Sequence, residues 1–266
     1  MHRKHARYGS WLLLAAALAA GPGLRGEEAT TLEWTDGRHA ERFVCRANFR
    51  LAEVEDALFG DLGRLERDLT EMLHIHPASS PVELFLFRDR DSYRHYVEQA
   101  YPEVPYRRAL FVKCGGQRMV YAYRGEHFEV DLRHEMTHAL LHSSLPSVPL
   151  WLDEGLAEYF EVAAAERAGG HPYMDGQAWR GRLGLMQRLS ALEQKQELSE
   201  MGKSEYRSSW AWTHFMLHGP PEAREELLNY LEDLGADVPS EPLSRRLERR
   251  LPGVDQRLLE HFQEWR

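Results

Sequence analysis

The segment Asp131-Leu132-Arg133-His134-Glu135-Met136-Thr137-His138-Ala139-Leu140-Leu141 limits what this chain can be more than any other stretch. It contains His-Glu-x-x-His. Phe128, Leu132, Met136, Ala139 and Leu140 make an apolar stripe at helical spacing, with no Gly or Pro before Pro146. On such a helix His134 and His138 lie one turn apart on one face. Two imidazoles so placed can share one Zn2+. Glu135 stands beside them, off the ligand row, where it could take a proton from a water held by the metal.

A second helical pattern follows, Trp151-Leu152-Asp153-Glu154-Gly155-Leu156-Ala157-Glu158-Tyr159-Phe160, entered through Pro146 and Pro149. Fifteen residues separate His138 from Glu154. Two His and one carboxylate leave the fourth zinc position to water, which is the arrangement of a catalytic site. Glu158, one turn after Glu154, is a candidate acceptor for the free N–H of a ligating imidazole. Asp153 reads as a cap or first-turn charge. His127, His142 and His171 read as surface residues.

These two segments resemble the gluzincin metallopeptidases, of the thermolysin and zinc-aminopeptidase type. There a second helix carries the third ligand in an Asn-Glu or Trp-Leu-x-Glu-Gly context. Residues 133–160 are similar, more narrowly, to an uncharacterised bacterial domain family with a gluzincin-like peptidase core. The resemblance implies a zincin-like metal helix and one Zn2+ per chain, held by His134, His138 and Glu154. It implies Glu135 as general base, taking a proton from the water that attacks an amide and passing it to the leaving amine. Residues 206–215 resemble the Tyr-x-x-x-Trp-type helix that follows the zinc motifs in related domains. Tyr206 and His214 are then candidate donors to the oxyanion, with Trp210 and Phe215 in the core. No Gly-x-Met-x-Asn-type segment is present, so the resemblance does not extend to an aminopeptidase. The implied substrate is a peptide or protein, paired with an edge strand before the metal helix. A catalytically silent, zinc-stabilised binding domain is the alternative, but such a site has no use for Glu135.

Residues 1–26 form a separate unit. His2, Arg3, Lys4 and Arg7 precede a ten-residue apolar run, 11–20, which Gly21-Pro22-Gly23 ends. This is the pattern of a secretory signal peptide cleaved near Gly26, and the run is too short for a stable membrane span. The expected destination is secreted or periplasmic. Cleavage removes four basic residues and no acidic one, so the net charge of -9 becomes -13. That balance argues against a nucleic-acid partner. Cys45 and Cys114 are the only cysteines. One disulfide and two separate thiols are both open, because spacing in sequence does not give the Cα separation a bridge requires.

Alternation predicts a strand over 39–49 and another over 81–87, and a hairpin of 109–112 with 119–123 around Gly115-Gly116. Helical spacing predicts 51–75, despite Gly60 and Gly63, and 89–100, capped by Asp89 or Asp91. Further helices are predicted over 176–196, 206–217, 221–234, 242–251 and 254–265. The expected fold is α+β: a small N-terminal mixed sheet with helices over 27–174, then a helical half over 175–266. The zinc cleft would lie between them.

Overall fold

The run Val82-Glu83-Leu84-Phe85-Leu86-Phe87 carries large apolar groups on both faces, so as a strand it must be covered on both sides. In the computed structural model of the chain, which describes residues 13–14, 32–40, 42–76 and 80–265, this run is an inner strand. Strand β4 (Val82–Phe87) pairs in parallel with β3 (Phe43–Ala47) on one side and β6 (Gln117–Tyr123) on the other. β2 (Asp36–Ala40) folds back antiparallel on β3, and β5 (Ala109–Cys114) antiparallel on β6. The dipeptide β1 (Leu13–Leu14) runs parallel to β5, beside Phe111 and Val112, giving the order β1-β5-β6-β4-β3-β2. The rest of the expected signal segment, 1–26, lies outside the described residues.

Alternation sorts the sheet into two faces. Leu84, Leu86, Phe111 and Val120 join one core cluster with helices α1 (Glu55–Leu73) and α3 (Phe128–Ser144). Phe85, Phe87, Val112 and Tyr121 join a second cluster, covered by Tyr93 and Val97 of α2 (Arg90–Ala100). The Asp89 carboxylate caps α2, accepting from the Ser92 N–H at 2.9 Å. α1 runs unbroken through Gly60 and Gly63. Its five buried leucines, Leu58, Leu62, Leu65, Leu69 and Leu73, contribute about 1.5–3 kcal/mol each, against about 1 kcal/mol for each glycine.

The fold is α+β, as expected, and most element boundaries agree within a few residues. Two do not. Residues 39–49 are not one strand; β2 and β3 form a hairpin whose closing pair is Ala40 and Phe43. The turn there carries no Gly, Pro or Asn to mark it. Residues 176–196 are not one helix but α6 (Gln177–Arg182) and α7 (Leu189–Leu192). Gly184 sits at φ 67°, and Trp179, Leu183 and Leu185 are exposed. Leu189 and Leu192 of α7 are buried in the core, and the left-handed Gly184, just past α6, ends the helix before them.

The connection from α3 leads to α4 (Leu150–Phe160), the short α5 (Ala164–Arg167), and then α8 (Lys203–His218), α9 (Pro221–Gly235), α10 (Leu243–Arg250) and α11 (Val254–Glu264). One core cluster continues from the sheet through α3, α4 and α8 to α11. Among the described residues no helix is long and apolar enough to cross a membrane. Cys45 and Cys114 are not bridged. They sit on β3 and β5, with β4 and β6 between. Three strand spacings are about 14 Å, twice the roughly 7 Å limit for a disulfide.

α4 and α8 meet at Gly155. A Cβ there would stand 2.6 Å from Thr213 Oγ1 and 2.7 Å from the Ser209 carbonyl oxygen. Backbone cannot yield as a side-chain end can. Gly155→Ala is therefore expected to lower stability by about 1–3 kcal/mol, read as a shift of the denaturant midpoint.

A second consequence concerns acid. His214 on α8 and His261 on α11 share a 2.9 Å hydrogen bond. Burial holds them at about 3 and about 4, so both rings are neutral in the fold. Unfolded, they take up protons below about 6.5. Their contribution to stability is therefore complete above that pH and lost as pH falls toward 4, by up to about one proton each. The melting temperature should decline through this window, and His261→Gln should decline less steeply.

Candidate metal centre

Four carboxylates lie within nine consecutive residues on and just after α4, and all are buried: Asp153 and Glu154 at 0% exposure, Glu158 at 2% and Glu161 at 8%. Acidic side chains are rarely buried unless paired. Leaving a buried charge uncompensated costs several kcal/mol. α3 supplies the answering groups. It is buried not only along its apolar stripe but also on the face that carries His134, Glu135 and His138.

The Nε2 atoms of His134 and His138 lie 3.6 Å and 3.8 Å from Glu154 Oε2. Ligand atoms of the three residues all fall within 4.8 Å of one another. Two ligands on a tetrahedral zinc, each about 2.0–2.1 Å from the ion, stand about 3.3–3.5 Å apart. The observed separations come close to that. His134 Nε2 and both Glu154 oxygens are buried and have no hydrogen-bond partner. Buried polar atoms are normally satisfied, and a cation between them would satisfy all three. The donor set of two imidazoles and a carboxylate suits zinc.

Protein groups occupy the far sides of both rings. Glu161 Oε2 accepts from His134 Nδ1 at 3.1 Å. Asp153 Oδ1 lies 3.0 Å from His138 Nδ1, and its Oδ2 lies 3.1 Å from His142 Nε2. An ionised carboxylate can only accept, so Nδ1 is the nitrogen that carries a proton toward it, and Nε2 is left to face Glu154. Burial alone would raise Asp153, but His138 and His142 hold it well below the usual carboxylate range. For His134, burial works against the charged ring, yet Glu154 and Glu161 raise its pKa. His138 is raised likewise, against burial, chiefly by Asp153.

Sequence reasoning placed some of these side chains elsewhere. Asp153, expected as a cap or first-turn charge, is in the first turn of α4, and it is also a fully buried link between two imidazoles. His142 and His171, expected at the surface, are buried, and His171 Nε2 donates to the Glu158 carbonyl oxygen at 2.9 Å. Glu158, expected as acceptor for a ligating ring, is not on His134 Nδ1; Glu161 is. Glu158 belongs instead to a second buried group with His134 and Glu161. Burial and Glu161 push it up to about 8, and the Tyr173 hydroxyl is bonded to it. The signal for Glu161 was present: it stands one turn after Ala157 and seven residues after Glu154, two turns along the same face.

Glu135 is buried beside this group, and its Oε1 has no hydrogen-bond partner. Burial raises its carboxyl, while His134 and His138 oppose the rise. Tyr206 is buried on α8, with Glu154, Glu158, Arg107 and Glu135 as its charged surroundings. His214 is not brought to the group. Its Nδ1 is bonded to His261 and its Nε2 donates to the Ala168 carbonyl oxygen at 2.9 Å. Eight residues at about 100° each turn it about 80° away from Tyr206 around the helix axis. Arg107, which no motif marked, lies among Glu135, Tyr206 and Glu154.

No protein-family model and no curated protein matches this chain. Among solved structures it is similar to an M1 zinc metallopeptidase from Deinococcus radiodurans, at 19% identity and a TM-score of 0.47, over 83% of this chain and 47% of that one. A point mutant of that enzyme gives 19%, 0.47, 84% and 48%. The mutant bound to a Tyr-Ser-Ala substrate gives 18%, 0.44, 84% and 49%. The chain spans about half the length of these structures. What the site can do is therefore read from its own side chains.

If Asp153 and Glu161 orient the two rings, Asp153→Asn and Glu161→Gln should each weaken zinc binding by about 10–100-fold. Competition against a chromophoric chelator measures this directly.

Proposed function

We propose that this chain is an exported zinc-dependent metallopeptidase. The supporting observation is the convergence of two imidazole nitrogens and the Glu154 carboxylate, with His134 Nε2 and both Glu154 oxygens buried and unpartnered, beside a buried Glu135. His134, His138 and Glu154 would hold the ion. When bound, zinc supplies Lewis-acid activation of the attacking water and of the peptide carbonyl.

The remaining work falls to the chain's own residues. Glu135 accepts the proton of the attacking water and returns it to the departing amine nitrogen. Its raised pKa suits the first half of that task, because a carboxylate whose pKa lies nearer neutrality takes a proton more readily than an exposed one. Tyr206 stays protonated, since burial pushes its pKa far up. It donates to the oxygen on which negative charge collects. Asp153 and Glu161 hold the rings in the required tautomer. The extended substrate lies along the outer edge of β5, where Leu13–Leu14 now pair with Phe111 and Val112. Signal cleavage near Gly26 would vacate that edge.

The reading predicts that zinc-loaded wild type cleaves peptides and that Glu135→Gln retains zinc but loses about 10²–10⁴-fold in kcat. Metal content by mass spectrometry, beside His138→Ala as the depleted control, accompanies the assay. Zinc-free wild type after refolding with zinc would end the proposal. Exported material that still begins at Met1 would end its localisation.

A further inference from the structure

Adjacent arginines precede β5 and have opposite fates. Arg108 Nη2 donates to Asp131 Oδ1 at 2.7 Å, a pair that fastens the loop to α3. Arg107 has no such anchor: its Nε and Nη1 are buried and have no hydrogen-bond partner. Its charged and polar surroundings are Glu135, Tyr206, Glu154 and Tyr93. None of these carboxylates accepts a hydrogen bond from it. Burial draws its pKa down to about 10, so it remains a cation at neutral pH.

Tyr93, on α2, shows the same deficit. It is 0% exposed, its hydroxyl has no partner, and its polar surroundings include Glu135 and Arg107. A guanidinium and a phenol thus carry buried, unanswered polar atoms, and each counts Glu135 among its charged neighbours. Burying two nitrogens of a half-buried guanidinium without partners carries a desolvation cost. A ligand that answers it recovers that loss on binding. The planar fork of N–H groups matches the two oxygens of a carboxylate, and the Tyr93 hydroxyl can donate a third bond.

We propose that Arg107 and Tyr93 form a subsite that reads a carboxylate on the peptide, next to the bond to be cut. This rests on the peptidase reading for its substrate class, though the recognition itself can be tested without turnover. The carboxylate belongs either to an acidic side chain or to the C-terminus of the substrate. The surrounding acids, Asp153, Glu154, Glu158 and Glu161, would repel such a group anywhere else in the site. The preference is therefore local, and it is supplied by one side chain. Tyr206 serves the oxyanion, which leaves the guanidinium for recognition.

The test uses the zinc-loaded full chain carrying Glu135→Gln, so that binding is read without cleavage, by calorimetry. One arm compares acetyl-Ala-Ala-Ala-Ala-amide variants with Glu or Gln at each position in turn. The other compares acetyl-Ala-Ala-Ala-Ala as free acid and as amide. The acid of one pair should bind at least tenfold more tightly than its neutral counterpart, and the arm in which this occurs identifies the source. Arg107→Met should abolish the preference and leave zinc content unchanged. Arg107→Lys, a point charge without the fork, should keep part of it. No preference in either arm, a measurement that needs no Arg107 variant, overturns the proposal. So does a preference that survives Arg107→Met. If peptides are turned over and Arg107→Met lowers kcat equally for acidic and neutral substrates, Arg107 serves the oxyanion and the proposal is overturned. A carboxylate preference that depends on Arg107, without cleavage of any peptide by the wild type, supports this subsite and removes the peptidase reading.

Discussion

The interaction on which the rest depends is the meeting of α3 and α4 across buried, oppositely disposed groups. α4 brings carboxylates into a core that would otherwise be apolar, and α3 brings imidazoles to face them. Two of the carboxylates are answered by protein: Asp153 by His138 and His142, and Glu161 by His134. Glu154 is not, and the His134 nitrogen facing it is not. A folded chain tolerates that imbalance when a cation completes it. The rear contacts and the frontal vacancy of partners belong to one arrangement. His134 is held at Nδ1 by Glu161, and His138 Nδ1 faces Asp153 at 3.0 Å, so that both Nε2 atoms are presented forward.

That arrangement requires α4 to be held tightly from behind. Gly155, directly after Glu154, lets α8 approach until Ser209 and Thr213 would crowd any side chain. The same approach carries Tyr206 to the buried acids while it turns His214 to a different neighbourhood, among His261, Trp265 and Phe262. One helix thus serves the metal group with one residue and a separate aromatic and imidazole cluster with another. The sheet bears on the site less directly. Phe111 of β5 stacks on the rings of both His138 and His142, so the strand that would take a substrate also backs the metal helix.

Much of this was legible in the residues. Local periodicity was enough for α1, β4, α2 and the β5–β6 hairpin, because each buries one or two regular faces. Their caps and turns are also written locally, as with Asp89 and with Gly115 at φ 56° and Gly116 at φ 85°. Periodicity failed at residues 176–196, where left-handed Gly184 divides the segment, and at the unmarked turn between β2 and β3. It also failed for His142 and His171. A polar residue on a helix looks solvated until a second helix is known to cover it.

The chain's own order of residues determined which side chains could share a helix face: His134 with His138, and Glu154 with Glu158 and Glu161. Those relations follow from a rise and a turn per residue that no tertiary contact alters. It could not determine which carboxylate meets which imidazole, nor that Arg107, from a loop before β5, stands beside Glu135. Such pairings join groups distant along the chain, and their energies depend on exclusion from water, which exists only once the helices and the sheet have closed around them. The tertiary structure alone chose Glu161 over Glu158 for His134, and left one arginine paired and its neighbour without a partner.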